Sequence, residues 1–220
     1  ARPGGRPQRQ IEDRAGAGEE MATIQESATV TGTALAGTLN SAHGWNLSAG
    51  DAFLLVYGGS VNFNKTGQSC LDATGYSGCW GSSTGRNGVD VYTDAGDYLV
   101  GDVHWAVHEL GHSYVSAVGS FGEQKFTLPS LLDAVQKAGN GFPDRPPGSD
   151  RDSTWGFAGG RWEWQRSSNG AASEEFADMY LGWVYNQWEM EAGSLSVAGQ
   201  QRSDFMNALM PYTLDIAIGR

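Results

Sequence analysis

The sequence predicts an α+β fold, a small sheet with several helices joined by glycine-rich connections. Three observations support this. The chain has 220 residues, 40% of them hydrophobic, with 8 Trp, 8 Tyr and 8 Phe, enough to bury one sizeable core. Its first half holds short strand-like runs closed off by glycine, at residues 51–57, 61–63 and 88–93. Its second half holds longer stretches with helical spacing, led by residues 103–118 and 173–188. The 32 glycines call for many turns. Residues 1–20 read as a flexible N-terminal arm and 21–220 as a single domain.

Composition narrows the function classes. The formal net charge is −11. Phosphate backbones need a basic surface, so a nucleic-acid partner is not expected. No apolar run approaches the 18 or so residues that span a bilayer, so no transmembrane segment is expected. Cys70 and Cys79 flank a short polar stretch. A local disulfide between them fits an exported protein, with two free thiols as the alternative. The sequence therefore points to a secreted or extracellular location.

In chain order, residues 1–20 are rich in Arg, Pro, Gly, Gln and Glu and read as a solvated arm or a propeptide remnant. Met21, Ile24, Ala28, Leu35 and Leu39 are spaced for a helix, although the run from Thr29 to Thr33 favours a strand or a break. Asp51 to Tyr57, between Gly50 and Gly58, reads as a buried strand. Val61 to Phe63 suggests a short second strand, and residues 64–88 a long loop stapled by the cysteines. Gly88 to Thr93 alternates apolar and polar residues, as an edge strand does.

Asp102 is placed to cap a helix carrying Val103, Trp105, Ala106, Val107, Leu110, Tyr114, Val115 and Val118. A helix over Leu128 to Lys137, with Pro129 near its first turn and Gly139 at its end, is expected next, then a loop over 139–153 and a Trp-rich hairpin over 155–164. That hairpin reads first as packing over the core and second as a substrate-lining or carbohydrate platform. Ser173 opens a helix with Glu174 and Glu175 in its first turn. A last helix over about 203–210 is expected to stop before Pro211.

The helix near residue 108 carries the chemistry. His108-Glu109-Leu110-Gly111-His112 is H-E-x-x-H. Two imidazoles at i and i+4 share a helix face and can bind one Zn2+, and the intervening Glu can reach a water on it. A catalytic zinc usually takes three protein ligands. The chain has four His, and none follows His112. His104 stands about 12 Å along the helix axis from His112, too far to share an ion with it. His43 and the carboxylates remain. Glu174 and Asp178 stand at i and i+4 on a helix, so Glu174 is the preferred third ligand. Asp178 could accept the outer ring N–H of a zinc-binding His. Glu175 is the rival ligand.

The pairing of His108–His112 with Glu174-Glu175-Phe176-Ala177-Asp178 resembles the gluzincin metallopeptidases, the zincins whose third ligand is a glutamate. The resemblance covers roughly a tenth of the chain. It implies a zincin-like fold, a small twisted sheet with an active-site helix and a second ligand-bearing helix packed against it. It implies His108, His112 and Glu174 as zinc ligands, Glu109 as general base and Asp178 as a residue behind the ligands. It also implies a downstream donor for the oxyanion. No downstream His exists, so Tyr185 is taken for that role, ahead of Tyr180, Arg161 and Arg166. The expected function is a zinc endopeptidase acting on a peptide or protein substrate. A zinc amidase with a non-peptide substrate and a catalytically silent binding protein are the alternatives.

Overall fold

The computed structural model describes residues 6–75, 79–95, 103–121, 153–154, 157–158, 172–188, 190–191, 193–195 and 197–220. Helix α1 spans Arg6–His43. Its side chains are described from Gly18 onward. The Thr-rich stretch neither breaks the helix nor forms a strand. Thr23, Ser27, Thr31, Leu35 and Leu39 are buried at four-residue intervals, a helical stripe. Hydroxyls inside the helix bond back to carbonyls one turn earlier, Thr23 to Glu19, Thr29 to Gln25 and Thr33 to Thr29. That back-bonding satisfies residues whose helix propensity is poor.

Helix α2 covers Ala49–Tyr57, where a strand was expected. Its ends explain the difference. Ser48 is the N-cap and forms a reciprocal capping box with Asp51, and Gly58 closes the helix with φ 70°. Ala52, Phe53, Val56 and Tyr57 are buried, which is a helical face rather than an alternation. The helices α1 and α2 approach closely at Gly32. A Cβ there would stand 2.3 Å from the Ala49 carbonyl oxygen.

Strand β1 is Asn62–Lys65, helix α3 is Cys70–Thr74, strand β2 is Gly81–Gly85 and strand β3 is Gly88–Val91. The expected loop over 64–88 thus contains a short helix and an additional strand. The Cys70–Cys79 disulfide is present, with Cα atoms 5.6 Å apart. The sheet order is β1-β3-β2, with β1 parallel and β2 antiparallel to β3. The segment expected at the sheet edge is therefore central. Val89 and Val91 face the core, and pairing occupies both sides of β3. Among the described residues β2 pairs on one side only.

Arg86, in the β2–β3 turn, locks the sheet to the helices. Its guanidinium donates to the carbonyls of Leu55 and Val56 at the end of α2, and to that of Ala217. A cation at a helix C-terminus is favoured by the dipole.

Helix α4 spans Val103–Phe121 and α5 spans Ala172–Tyr185. Strand pairs β4 (Ser153–Thr154) with β5 (Phe157–Ala158), and β6 (Met190–Glu191) with β7 (Ser194–Leu195), are short antiparallel ladders. Helix α6 spans Val197–Ala217 and continues through Pro211 rather than ending before it. Thr213 anchors that stretch, its hydroxyl lying 3.2 Å from the Leu209 carbonyl and 2.7 Å from the Tyr114 hydroxyl.

The core joins α1, α2, α4, α5 and α6 through residues such as Leu35, Val56, Leu110, Phe176 and Met210. A second, smaller cluster joins β3 to α4 through Val89, Val91, Trp105 and Ala106. The protein is α+β, with a small mixed sheet against one helical layer. Asp102, the expected helix over 128–137 and the Trp residues of the 155–164 segment lie outside the described residues.

Candidate metal centre

Helix α4 lies between two partners, and two adjacent stripes of its surface face them. His104, His108 and His112 form one stripe, Trp105, Glu109 and Ser113 the next. Successive residues on a helix point about 100° apart, so the stripes are neighbours.

The histidine stripe meets α5. His108 Nδ1 stands 2.7 Å from Asp178 Oδ1, and both side chains are buried. His104 meets Tyr185 edge-on, with ring centroids 5.0 Å apart. Further along α4, Tyr114 stacks on Phe176. Rising numbers on α4 meet falling numbers on α5, so the two helices run antiparallel. Gly111 makes the approach possible. A Cβ there would lie 2.9 Å from Ala177 Cα and 3.2 Å from Tyr180 Cβ. Glycine in a helix interior costs about 1 kcal/mol against alanine, and close helix contact explains its presence here.

The ring nitrogens converge. His108 Nε2 and His112 Nε2 are 3.1 Å apart. An ionised Asp178 only accepts, so His108 Nδ1 carries the proton and a neutral His108 presents a lone pair at Nε2. Two nitrogens each about 2.0–2.1 Å from a tetrahedral zinc are separated by roughly 3.4 Å. The pair stands within a few tenths of an ångström of that spacing, so the residues present fit two ligands of one ion.

Asp178 bonds the outer nitrogen of His108, Nδ1, and not the Nε2 side on which His108 and His112 converge. Glu174 lies one turn before Asp178 on α5. The Glu174 and Glu175 side chains lie outside those described. Among the described residues no three His, Cys, Asp or Glu side chains form a metal-holding group. His43, the other histidine considered as a ligand, is committed elsewhere. It bonds Asp215 at 2.7 Å and lies tilted against Trp45, ring centroids 4.6 Å apart. Tyr185, expected as an oxyanion donor, stands at the level of His104, one turn from His108 on the side away from His112.

The second stripe meets the sheet. A Cβ on Gly81 would fall 3.0 Å from Trp105 Cζ2 and 3.4 Å from the Glu109 carboxyl carbon. Glu109 is therefore covered by the first residue of β2, and only 5% of it is exposed. Two residues on, Ser83 Oγ is 3.3 Å from Ser113 Oγ. The strand rises about 6.6 Å over two residues and the helix about 6 Å over four, so β2 and this stripe stay in step.

The sequence names Trp105 only as an apolar helix position and gives no role to Gly81, Ser83 or Ser113. The i+4 repeat of Trp105, Glu109 and Ser113 was the available signal.

A buried tyrosine group supports the helix from behind. Tyr57 donates to the Leu110 carbonyl at 2.9 Å and lies 3.0 Å from the Tyr180 hydroxyl. With its own proton committed to Leu110, Tyr57 accepts from Tyr180. Burial pushes the phenols of Tyr57, Tyr114 and Tyr180 well above the usual tyrosine range.

Comparison of the chain with protein-family models, with curated proteins and with solved structures gives no match.

Proposed function

We propose that this chain is a zinc-dependent endopeptidase of gluzincin type. The observation that carries the reading is the convergence of the two imidazoles, 3.1 Å apart at Nε2, with Asp178 bonded to the outer nitrogen of His108. His108 and His112 would hold the ion through Nε2, and Glu174 is the candidate third ligand. Zinc, when bound, acidifies a water and polarises the scissile carbonyl. Asp178 holds the His108 ring and its tautomer, keeping the Nε2 lone pair directed at the site. Glu109, one residue from His108, takes a proton from the attacking water and returns it to the leaving amine. The edge of β2 that no described strand pairs offers main-chain groups to an extended peptide. Tyr185 remains the candidate oxyanion donor. The disulfide fits a protein that works outside the reducing cytosol.

The test has two parts. Metal analysis of the purified chain is expected to give close to one zinc, lost in His112→Ala. A peptide-library digest is expected to show cleavage by the wild type and at least a 100-fold loss in Glu109→Gln with zinc retained. Stoichiometric zinc without any cleavage would replace the peptidase reading with a binding role. No zinc would end both.

A further inference from the structure

The hydroxyl pair between β2 and α4 has a direction. Ser83 Oγ stands 3.0 Å from the Gly85 carbonyl, which only accepts, so Ser83 donates there. A serine hydroxyl has one proton. Ser113 is therefore the donor to Ser83 across the strand–helix junction. Ser113 is wholly buried and directly follows His112. A helical serine commonly turns its proton back to a carbonyl of its own helix. This one spends it on the neighbouring strand. The other end of β2 is held by the disulfide at Cys79, two residues before Gly81. Between these two ties lies Gly81, against Trp105 and Glu109.

We propose that Ser83, bonded to Ser113, is a positioning residue that fixes the height of β2 over α4 and thereby holds Glu109 against Gly81, beside Trp105. The inference rests on the peptidase reading for its consequence in catalysis but not for the clamp itself. The candidate zinc ligands lie on the other stripe of α4, where Asp178 of α5 meets His108. Loosening β2 therefore disturbs the base and spares the metal.

Ser83→Ala and Ser83→Thr separate these effects. Ser83→Thr keeps the hydroxyl at a half-buried strand position that tolerates a β-branched residue. In Ser83→Ala, amide hydrogen exchange in β2 is expected to quicken at least 10-fold, with zinc content unchanged. Its kcat on a peptide cut by the wild type is expected to fall about 10-fold while KM moves less than 3-fold. Ser83→Thr should restore both. Unchanged exchange in Ser83→Ala overturns the clamp. Faster exchange with KM alone affected overturns the positioning of Glu109. A wild type that binds zinc and cleaves nothing removes the peptidase reading, while the exchange comparison still decides the clamp.

Discussion

His108 and Asp178 are 70 residues apart in sequence and 2.7 Å apart in space, and both side chains are almost completely buried. A buried carboxylate is costly without a partner, so the contact has to serve something. Here it fixes which nitrogen of His108 carries the proton. Replacing Asp178 with Ala is expected to weaken zinc binding 10- to 100-fold, since partners behind metal ligands typically contribute that much. Competition with a chromogenic chelator measures it. An unchanged zinc affinity would mean that His108 is not a ligand held in this way.

Gly111 tests the packing that creates the contact. Alanine would place a methyl 2.9 Å from the Ala177 backbone. Gly111→Ala gains roughly 1 kcal/mol of helix propensity and incurs about 1–3 kcal/mol of overpacking. The expected net is a loss of up to about 2 kcal/mol in urea unfolding, with weaker zinc binding as α5 moves outward. A variant as stable as the wild type with full zinc affinity would refute the close approach.

The disulfide closes a ten-residue loop ahead of β2. Chain entropy assigns such a loop about 2–3 kcal/mol. In a domain of this size that corresponds to roughly 5–10 °C in Tm. The double variant Cys70→Ser with Cys79→Ser, melted beside the oxidised wild type, checks the figure. Equal melting temperatures would show that the staple carries no stability.

The buried phenols predict an alkaline limit. Their folded pKa values lie above the unfolded value of about 10. The folded state therefore holds these protons after the unfolded chain has released them. Their contribution to stability is intact below about pH 10 and is lost as pH climbs toward the folded values. Absorbance of tyrosinate near 295 nm should show Tyr57, Tyr114 and Tyr180 ionising together with unfolding. Early titration of all eight tyrosines in a still-folded chain would contradict their burial.

The candidate site was legible where chemistry and helix period coincide. His108 and His112 declare themselves by spacing, and the i+4 relation of Asp178 to Glu174 marks out the residue that the structure brings to His108. The sheet was harder to read. The β2 sequence, Gly-Ser-Ser-Thr-Gly, has few good strand formers, and it pairs because β3 and α4 give it neighbours. The β3 alternation showed a strand with one buried face but could not show that partners flank it on both sides. Phe53 to Tyr57 is a short apolar run without a polar phase, so strand and helix looked alike there. The capping pair Ser48 and Asp51 was the deciding signal. Pro211 suggested a stop, yet tertiary contacts, among them Thr213 with Tyr114, carry the helix past it.

The side-by-side stripes of α4 have a consequence for length changes. Trp105, Glu109 and Ser113 look toward β2 only because each is one position out of phase with the histidines. A single alanine inserted between Gly101 and Val103 would lengthen the connection and leave that phase intact. The same alanine inserted between Val107 and His108 would turn everything beyond it by about 100°. An imidazole would then be aimed at Gly81, and the residues meeting Asp178 would change. The helix acts as a cam, and tolerance to insertion should switch off abruptly where its first turn begins.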